Sequence, residues 1–171
     1  MYRLRDIYIT IFPLLWFFQV LEYLLDMHEV IINGCDTLNG ETALTAAAAA
    51  GQNGSCLVLI RRGASMLVSD LKESFPLHMA TRQGHWGVAD TLLKEGADPN
   101  LLDGGQRSSL MIAALEGHLG LCELLISRGA RLDTEDRDGL SGKKAFFLKK
   151  EIAHSCIQCS KDGKIVSSNN K

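Results

Sequence analysis

Short apolar stretches with helical spacing alternate with polar, turn-rich segments along the middle of the chain. In one of them, Val88, Leu92 and Leu93 fall on one helical face, and the segment 97–107 that follows is polar. Comparable stretches predict three helices that end before a Gly-Ala pair, over residues 56–61, 88–94 and 121–127. A shorter apolar stretch precedes each of them. The pattern therefore predicts pairs of short helices joined by loops.

These pairs repeat with a constant period of about 33 residues. Gly51, Gly84 and Gly117 keep this spacing, and so do the Gly-Ala pairs that begin at residues 63, 96 and 129. Upstream of the first set lie Thr42-Ala43-Leu44-Thr45, Phe75-Pro76-Leu77-His78 and Ser108-Ser109-Leu110-Met111. An internal period of this length is typical of stacked structural repeats. We predict three copies and the start of a fourth, over residues 36–68, 69–101, 102–134 and 135–142.

The repeated positions have physical reasons. The hydroxyl of Thr42 or Ser108 is suited to cap the free N–H groups of a first helix, and Pro76 suits a first helical turn. The small pair Ala47-Ala48 and its equivalents allow neighbouring helices to approach closely. The glycines 51, 84 and 117 are expected where the first helices end, because a residue without a Cβ adopts left-handed backbone at little cost.

A helix–turn–helix–loop unit of about 33 residues that begins with Thr-Pro-Leu-His and ends with Gly-Ala resembles the ankyrin repeat family. The resemblance covers residues 34–140 and implies an all-α ankyrin repeat solenoid. Glu73 and Gln106 stand where the family usually has a loop glycine, which Gly40 and Gly139 keep. Three stretches also resemble the ankyrin block of TANC-type scaffolds, which implies that the chain is a fragment of such a scaffold: residues 39–47, 82–86 and 116–120.

The composition restricts the class of protein further. The chain has 171 residues, 46% of them hydrophobic and 22% charged, with a formal net charge of −2. This apolar content excludes disorder along the whole chain, and five cysteines do not make a disulfide-stapled miniprotein. The charge is uneven, because residues 1–142 have a balance of −7 and residues 143–171 one of +5. A near-neutral chain argues against a dedicated nucleic-acid binder.

The two ends depart from the repeat. Residues 1–33 are an apolar segment whose helical periodicity favours a helix capping the first repeat. Membrane anchoring through residues 7–25 is an alternative, although Pro13 interrupts the run and a span needs about 20 apolar residues. A disordered or artefactual start is a third. The basic polar tail, residues 143–171, begins with a lysine-rich segment that suits a makeshift cap, and the abrupt loss of the pattern also fits a truncated or spliced chain.

The cysteines offer little chemistry. Cys156 and Cys159 form a C-x-x-C motif beside His154, but structural zinc usually takes four ligands and a second pair is absent. We therefore interpret them as free thiols, with zinc binding as the alternative. Cys56 and Cys122 lie within the second helices and are expected in the core.

The histidines are expected to have a structural role. His78, His85 and His118 fall on consensus positions of the ankyrin family, where the imidazole bridges adjacent loops by hydrogen bonds. Catalysis would need a base, a nucleophile and an orienting group around a pocket, and the sequence predicts no such set. We expect neither an enzyme nor a bound cofactor or metal.

The resemblance implies a protein partner, of unknown identity, bound on the concave face formed by loop tips and first helices. The candidate partner-binding residues are Leu38, Asn39, Glu41, Leu71, Lys72, Ser74, Arg82, Gln83, Arg107, Leu115 and Glu116. Leu71 and Leu115 are the apolar anchors to test first, because exposed hydrophobic residues rimmed by charge mark interaction sites. The chain is expected to be a cytoplasmic monomer, or membrane-associated if residues 7–25 insert.

Overall fold

The computed structural model describes Asp26, residues 31–142, Lys144, Ala145 and Phe147. Six helices follow one another in pairs between residues 43 and 127. The first helices are α1 (Ala43–Ala49), α3 (Pro76–Arg82) and α5 (Ser109–Glu116), and the second helices are α2 (Asn53–Arg61), α4 (Trp86–Lys94) and α6 (Leu119–Ser127). The described residues form no strand, only isolated antiparallel bridges at the feet of the loops: Cys35–Thr42, Leu102–Ser108 and Glu135–Ser141. The predicted all-α solenoid is confirmed.

Hydroxyl groups start two of the first helices, as predicted. Thr42 Oγ1 accepts a hydrogen bond from the Thr45 N–H at 3.2 Å, and Thr45 Oγ1 accepts one from the Thr42 N–H at 2.7 Å. Ser108 Oγ accepts a hydrogen bond from the Met111 N–H at 3.4 Å. Pro76 is the first residue of α3, where its missing N–H leaves no intrahelical hydrogen bond unmade.

Both kinds of helix are followed by a left-handed glycine. After the first helices φ is 73°, 77° and 87°, and after the second helices it is 89°, 96° and 86° (residues 51, 84 and 117, then 63, 96 and 129). The second helices end at the predicted residues but begin two or three residues earlier, at Asn53, Trp86 and Leu119. A glycine is the second residue of each of them, and a poor helix former there hides the start of the helix in the apolar pattern.

The core is assembled between neighbouring repeats. α1 packs against α3, and α3 packs against α5. The small side chains predicted at these contacts are buried: Ala47, Ala48, Ala80, Ala113 and Ala114. Leu59, Leu92 and Leu125 on the second helices are fully buried, and each buried leucine contributes about 1.5–3 kcal/mol. Every repeat therefore supplies part of the hydrophobic environment of the next.

Residues 141–145 repeat the local geometry that starts a first helix. Ser141 Oγ accepts a hydrogen bond from the Lys144 N–H at 3.3 Å, so it caps a helical segment as Ser108 does. Ala145 is 3% exposed and belongs to the core, and Gly142 packs so closely on Leu110 that a Cβ there would lie 3.2 Å from the leucine Cδ2. Apart from Lys144, Ala145 and Phe147, the segment 143–171 lies outside the described residues, and so does its C-x-x-C motif.

In the N-terminal segment, Asp26 forms an ion pair with the residue that follows α2. Asp26 is helical, and its Oδ1 lies 2.7 Å from Nη1 of Arg62. Arg128 directly follows α6, as Arg62 directly follows α2. Its Nη2 lies 2.6 Å from Oδ1 of Asp90 on the preceding second helix, so the two arginines form equivalent ion pairs. The run 7–25, and with it the membrane alternative, falls outside the described residues. Among the helices that are described, none has the length and apolar character needed to span a bilayer.

Candidate interaction surface

An aspartate holds each loop between repeats in shape. One carboxylate oxygen of this residue accepts two backbone N–H groups of its own loop, at 2.7 to 3.0 Å, in Asp36, Asp70, Asp103 and Asp136. A carboxylate that satisfies two loop donors fixes the turn against fluctuation. We call residues 37–40, 71–73, 104–106 and 137–139, which lie between the anchoring bonds, the loop tips.

Two loop tips keep a left-handed residue without keeping the glycine. Glu73 and Gln106 have φ values of 55° and 62°, beside 68° and 73° at Gly40 and Gly139. Glu73 and Gln106 therefore replace the usual loop glycine without changing the left-handed backbone conformation of the turn. A left-handed non-glycine residue costs roughly 1–2 kcal/mol, and the hydrogen bonds of Asp70 and Asp103 hold both loops in this conformation.

Backbone hydrogen bonds join adjacent loop tips. The Leu71 N–H donates to the Asn39 carbonyl at 2.9 Å, and the Gly104 N–H donates to the Lys72 carbonyl at 3.2 Å. The tips of the first three repeats therefore stand side by side at a fixed spacing. They also bring two apolar side chains to the surface, because Leu38 is 82% exposed and Leu71 is 73% exposed.

His78 ties a first helix to the next loop. Its Nδ1 accepts a hydrogen bond from the Phe75 N–H at 3.2 Å, which leaves Nε2 to donate to the Leu101 carbonyl at 3.0 Å. Burial lowers the pKa of His78, in agreement with this neutral tautomer.

The other two predicted histidines also bridge neighbouring repeats. Nε2 of His85 lies 3.0 Å from the Ala49 carbonyl, and Nε2 of His118 lies 3.3 Å from the Arg82 carbonyl. The structural role predicted for the three histidines is confirmed.

Two of the candidate partner-binding residues converge on one carboxylate. Arg107 donates to Asp103 Oδ2 through Nε at 3.1 Å and Nη2 at 2.7 Å, and Nη2 of Arg82 lies 3.6 Å from the same oxygen. Burial by itself raises the pKa of Asp103, but the hydrogen bonds from Arg107 and from the Gly105 N–H outweigh it, so this pKa lies below its ordinary value. The hydrogen bond to Asp103 correspondingly raises the pKa of Arg107.

Sequence reasoning did not single out Asp103. Its side chain is 1% exposed, whereas those of Arg82 and Arg107 are 28% and 40% exposed. The signal was the aspartate that every loop carries at the same place. This buried carboxylate positions both guanidinium groups at the surface.

The structure places most candidate residues at the surface, with one correction. Seven are exposed: Leu38, Asn39, Leu71, Lys72, Gln83, Leu115 and Glu116. Glu41, Arg82 and Arg107 are partly buried. Ser74 is only 1% exposed, because its backbone is bonded to Asp70 within the loop and its side chain is short, whereas Glu41 and Arg107 have the same backbone bonds but longer side chains. The surface prediction for Ser74 is wrong.

The described cysteines are free thiols of two kinds. Cys35 is exposed, whereas Cys56 and Cys122 are buried in the core as predicted. Burial raises the pKa of Cys56 to about 12 and that of Cys122 to about 11. No group of three or more potential metal-ligating side chains comes together among the residues that the structure describes. Cys156, Cys159 and His154 are outside them.

Residues 56–136 match the family model of ankyrin repeats, in three copies. The match falls on the part of the chain where the paired helices, the left-handed glycines and the bridging histidines recur. Ankyrin repeats are generally modules for protein–protein interaction and are typically non-enzymatic. The recurring geometry and the family match together identify residues 56–136 as an array of ankyrin repeats.

Proposed function

We propose that this chain is a non-enzymatic interaction module that binds a protein partner on the concave face formed by the loop tips and the exposed parts of the first helices. The observation that carries the proposal is the pair of exposed leucines, Leu38 and Leu71, on adjacent loop tips that a backbone hydrogen bond holds together. Large apolar side chains held rigidly in water are suited to bury themselves against a partner, because little conformational entropy is lost on binding.

Polar side chains belong to the same proposed face as these leucines. Lys72 follows Leu71 on the same tip, and the guanidinium groups of Arg82 and Arg107 lie at the surface over Asp103. Preformed arginines rank among the residues that dominate binding energy in interfaces. Gln83 and Glu116 lie at the ends of α3 and α5, and Leu115, 39% exposed, is a third apolar contact. A partner with an apolar ridge and polar flanks complements this arrangement.

The test is affinity capture with the full chain in three forms: wild type, the double variant Leu38→Ser/Leu71→Ser, and the control Leu132→Ser. Leu132 is also a leucine in a loop, 37% exposed, but it lies after α6 and away from the loop tips. Because Leu38 and Leu71 are exposed, their replacement leaves the core intact, and circular dichroism should show unchanged helicity. Proteins retained by wild type and control and lost from the double variant are partners of this surface.

A second arm maps the contact directly. A photo-activatable residue in place of Leu71 should cross-link to the captured partner, and the same residue in place of Leu132 should not. Equal retention of every protein by the three forms, or equal cross-linking from both positions, would show that the loop tips are not the binding surface.

The wider setting is also a proposal. We place the chain in the cytoplasm as a monomeric adaptor or scaffold component, with kinship to the ankyrin block of TANC-type scaffolds. The free thiols of Cys35, Cys56 and Cys122 support a reducing compartment, in which disulfides rarely persist. Fractionation of cells, and light scattering of the purified chain, test the compartment and the monomeric state separately.

A further inference from the structure

A side-chain carboxamide links neighbouring layers of the array at two places, through Asn33 and Asn100. Asn100 Oδ1 accepts a hydrogen bond from the Arg131 N–H at 2.8 Å, and its Nδ2 donates to the Gly129 carbonyl at 3.2 Å. Asn33 makes the corresponding bond one layer earlier, accepting from the Ser65 N–H at 2.8 Å. The carboxamide of Asn100 thus satisfies one N–H group and one carbonyl group on the backbone of the following repeat.

The middle layer has a leucine at this position. Leu67 lies one repeat period before Asn100. Its counterpart in the layer before is Asn33, which lies one residue further away because the loop at Asp36–Thr42 has one extra residue. The backbone groups equivalent to those that Asn100 binds are the Gly96 carbonyl and the Asp98 N–H. Leucine offers them no polar atom, and no hydrogen bond from another described residue reaches either group. Both residues are exposed to solvent.

A cavity of about 300 Å³ lies at this place, bordered by Leu67, Met66, Phe75, Gly96 and Asp98. This volume is at the small end of ligand sites in proteins, which begin at about 300 Å³. Leu67 borders it without closing it, since 68% of the side chain is exposed to solvent.

Phe75 adds an aromatic side chain to the lining of this cavity. The other repeats have Thr42, Ser108 and Ser141 at the same position, all nearly buried. Phe75 is only partly buried, and its ring lies against that of His78 at 5.7 Å between centroids. The site therefore combines an aromatic and aliphatic wall with one backbone donor and one backbone acceptor.

We propose that this cavity, the amide cleft, binds a peptide segment of a partner that presents an asparagine or glutamine carboxamide beside a branched aliphatic side chain. The geometry of Asn100 shows how one carboxamide satisfies the equivalent donor and acceptor together. The aliphatic neighbour packs on Leu67 and Phe75. None of the loop-tip residues borders the amide cleft, so this proposal does not depend on the proposed function.

The test compares two capped dipeptides by NMR titration of the full chain: acetyl-Leu-Asn-methylamide and acetyl-Leu-Asp-methylamide. They differ in one side-chain group, and the carboxylate has no N–H for the Gly96 carbonyl. We expect saturable shifts of the Asp98 and Ala97 amide signals with the asparagine peptide, and affinity about tenfold lower with the aspartate peptide, since tenfold corresponds to about 1.4 kcal/mol, near the worth of one hydrogen bond. Equal shifts with both peptides, or no saturable shift with either, would overturn the proposal.

The variant Leu67→Asn supplies the missing carboxamide from the chain itself. We expect it to raise the melting temperature and to abolish the dipeptide-induced shifts, because the donor and acceptor are then occupied. Leu132→Asn is the matched control, since Leu132 is a leucine in the loop after α6, is 37% exposed and does not border the cavity. It should leave both readouts as in the wild type. Undiminished dipeptide binding by a folded Leu67→Asn variant would also contradict the amide cleft.

Discussion

The imidazole of His118 lies against Gly84 so closely that a Cβ built on the glycine would come within 2.7 Å of the ring Cε1. His85 has the same relation to Gly51, at 2.8 Å. Gly117 has a similar left-handed backbone, with φ of 87° beside 77° at Gly84, but nothing lies within 4 Å of its Cβ position. Gly84 and Gly117 therefore differ in the contact that the following repeat makes.

The first prediction uses this difference. Gly117→Ala should lower the free energy of unfolding by roughly 1–2 kcal/mol, the cost of a left-handed residue with a Cβ. Gly84→Ala should cost about 1–3 kcal/mol more, because overpacking against the ring is added to the same backbone strain. Urea denaturation followed by circular dichroism measures both.

The excess can be assigned to the ring by a double-mutant cycle. In a His118→Ala background the steric part disappears, so Gly84→Ala should cost about as much as Gly117→Ala. An excess that persists without the imidazole would mean that the contact with His118 is not its source.

Much of this layer-by-layer contact was predictable from the sequence. The constant repeat period, the glycines and the histidines each depend on local backbone geometry that recurs with the sequence, so the register identifies them. The starts of the second helices were less visible, because glycines in their first turns interrupt the apolar pattern.

Side-chain exposure within the loops was not predictable in the same way. Ser74 is polar and lies next to a loop tip, but its short side chain is buried, whereas the longer side chains of Glu41 and Arg107 at the same loop position are only partly buried. Asp103 is buried although it is charged, because Arg82 and Arg107 come from different parts of the chain to pair with it. The contact between Arg82 and Asp103 depends on three-dimensional packing between repeats, which a linear pattern does not contain.

The second prediction concerns pH. The pKa of His78 is lowered by burial from the ordinary value of 6.5, so the unfolded chain takes up a proton at higher pH than the folded one. Above pH 6.5 His78 makes no pH-dependent contribution to the free energy of unfolding. As the pH falls below 6.5, His78 lowers this free energy progressively, until the residue is protonated in the folded state too. His78→Gln does not titrate and keeps an acceptor and a donor at the same position. Its melting temperature should fall less than that of the wild type between pH 7 and pH 5, and parallel curves would contradict the assignment.

The third prediction concerns the buried carboxylate. Asp103→Asn keeps an acceptor for the loop N–H groups but loses the charge that holds Arg82 and Arg107. It should lower the free energy of unfolding by about 1.5–3 kcal/mol, the range for hydrogen bonds to charged groups. Asp136→Asn is the matched control, because Asp136 makes the same loop bonds at 2.9 and 3.0 Å and no ion pair is formed by it with the described residues. Equal costs for the two variants in urea denaturation would show that the arginines add nothing to the loop bonds.

The fourth prediction separates the cysteines by reactivity. Cys35 is exposed, whereas burial raises the pKa of Cys56 to about 12 and that of Cys122 to about 11, and the thiolate is the form that is alkylated. With iodoacetamide at pH 8, Cys35 should react readily, and Cys56 and Cys122 at least about a hundredfold more slowly than Cys35, since a stable fold exposes them only in a small unfolded fraction. Mass spectrometry of tryptic peptides measures each site separately, and the same reaction in denaturant gives the control in which all three become equivalent. Fast native alkylation of Cys56 or Cys122 would mean that the second helices open without global unfolding, and that the core is not the continuous stack described above.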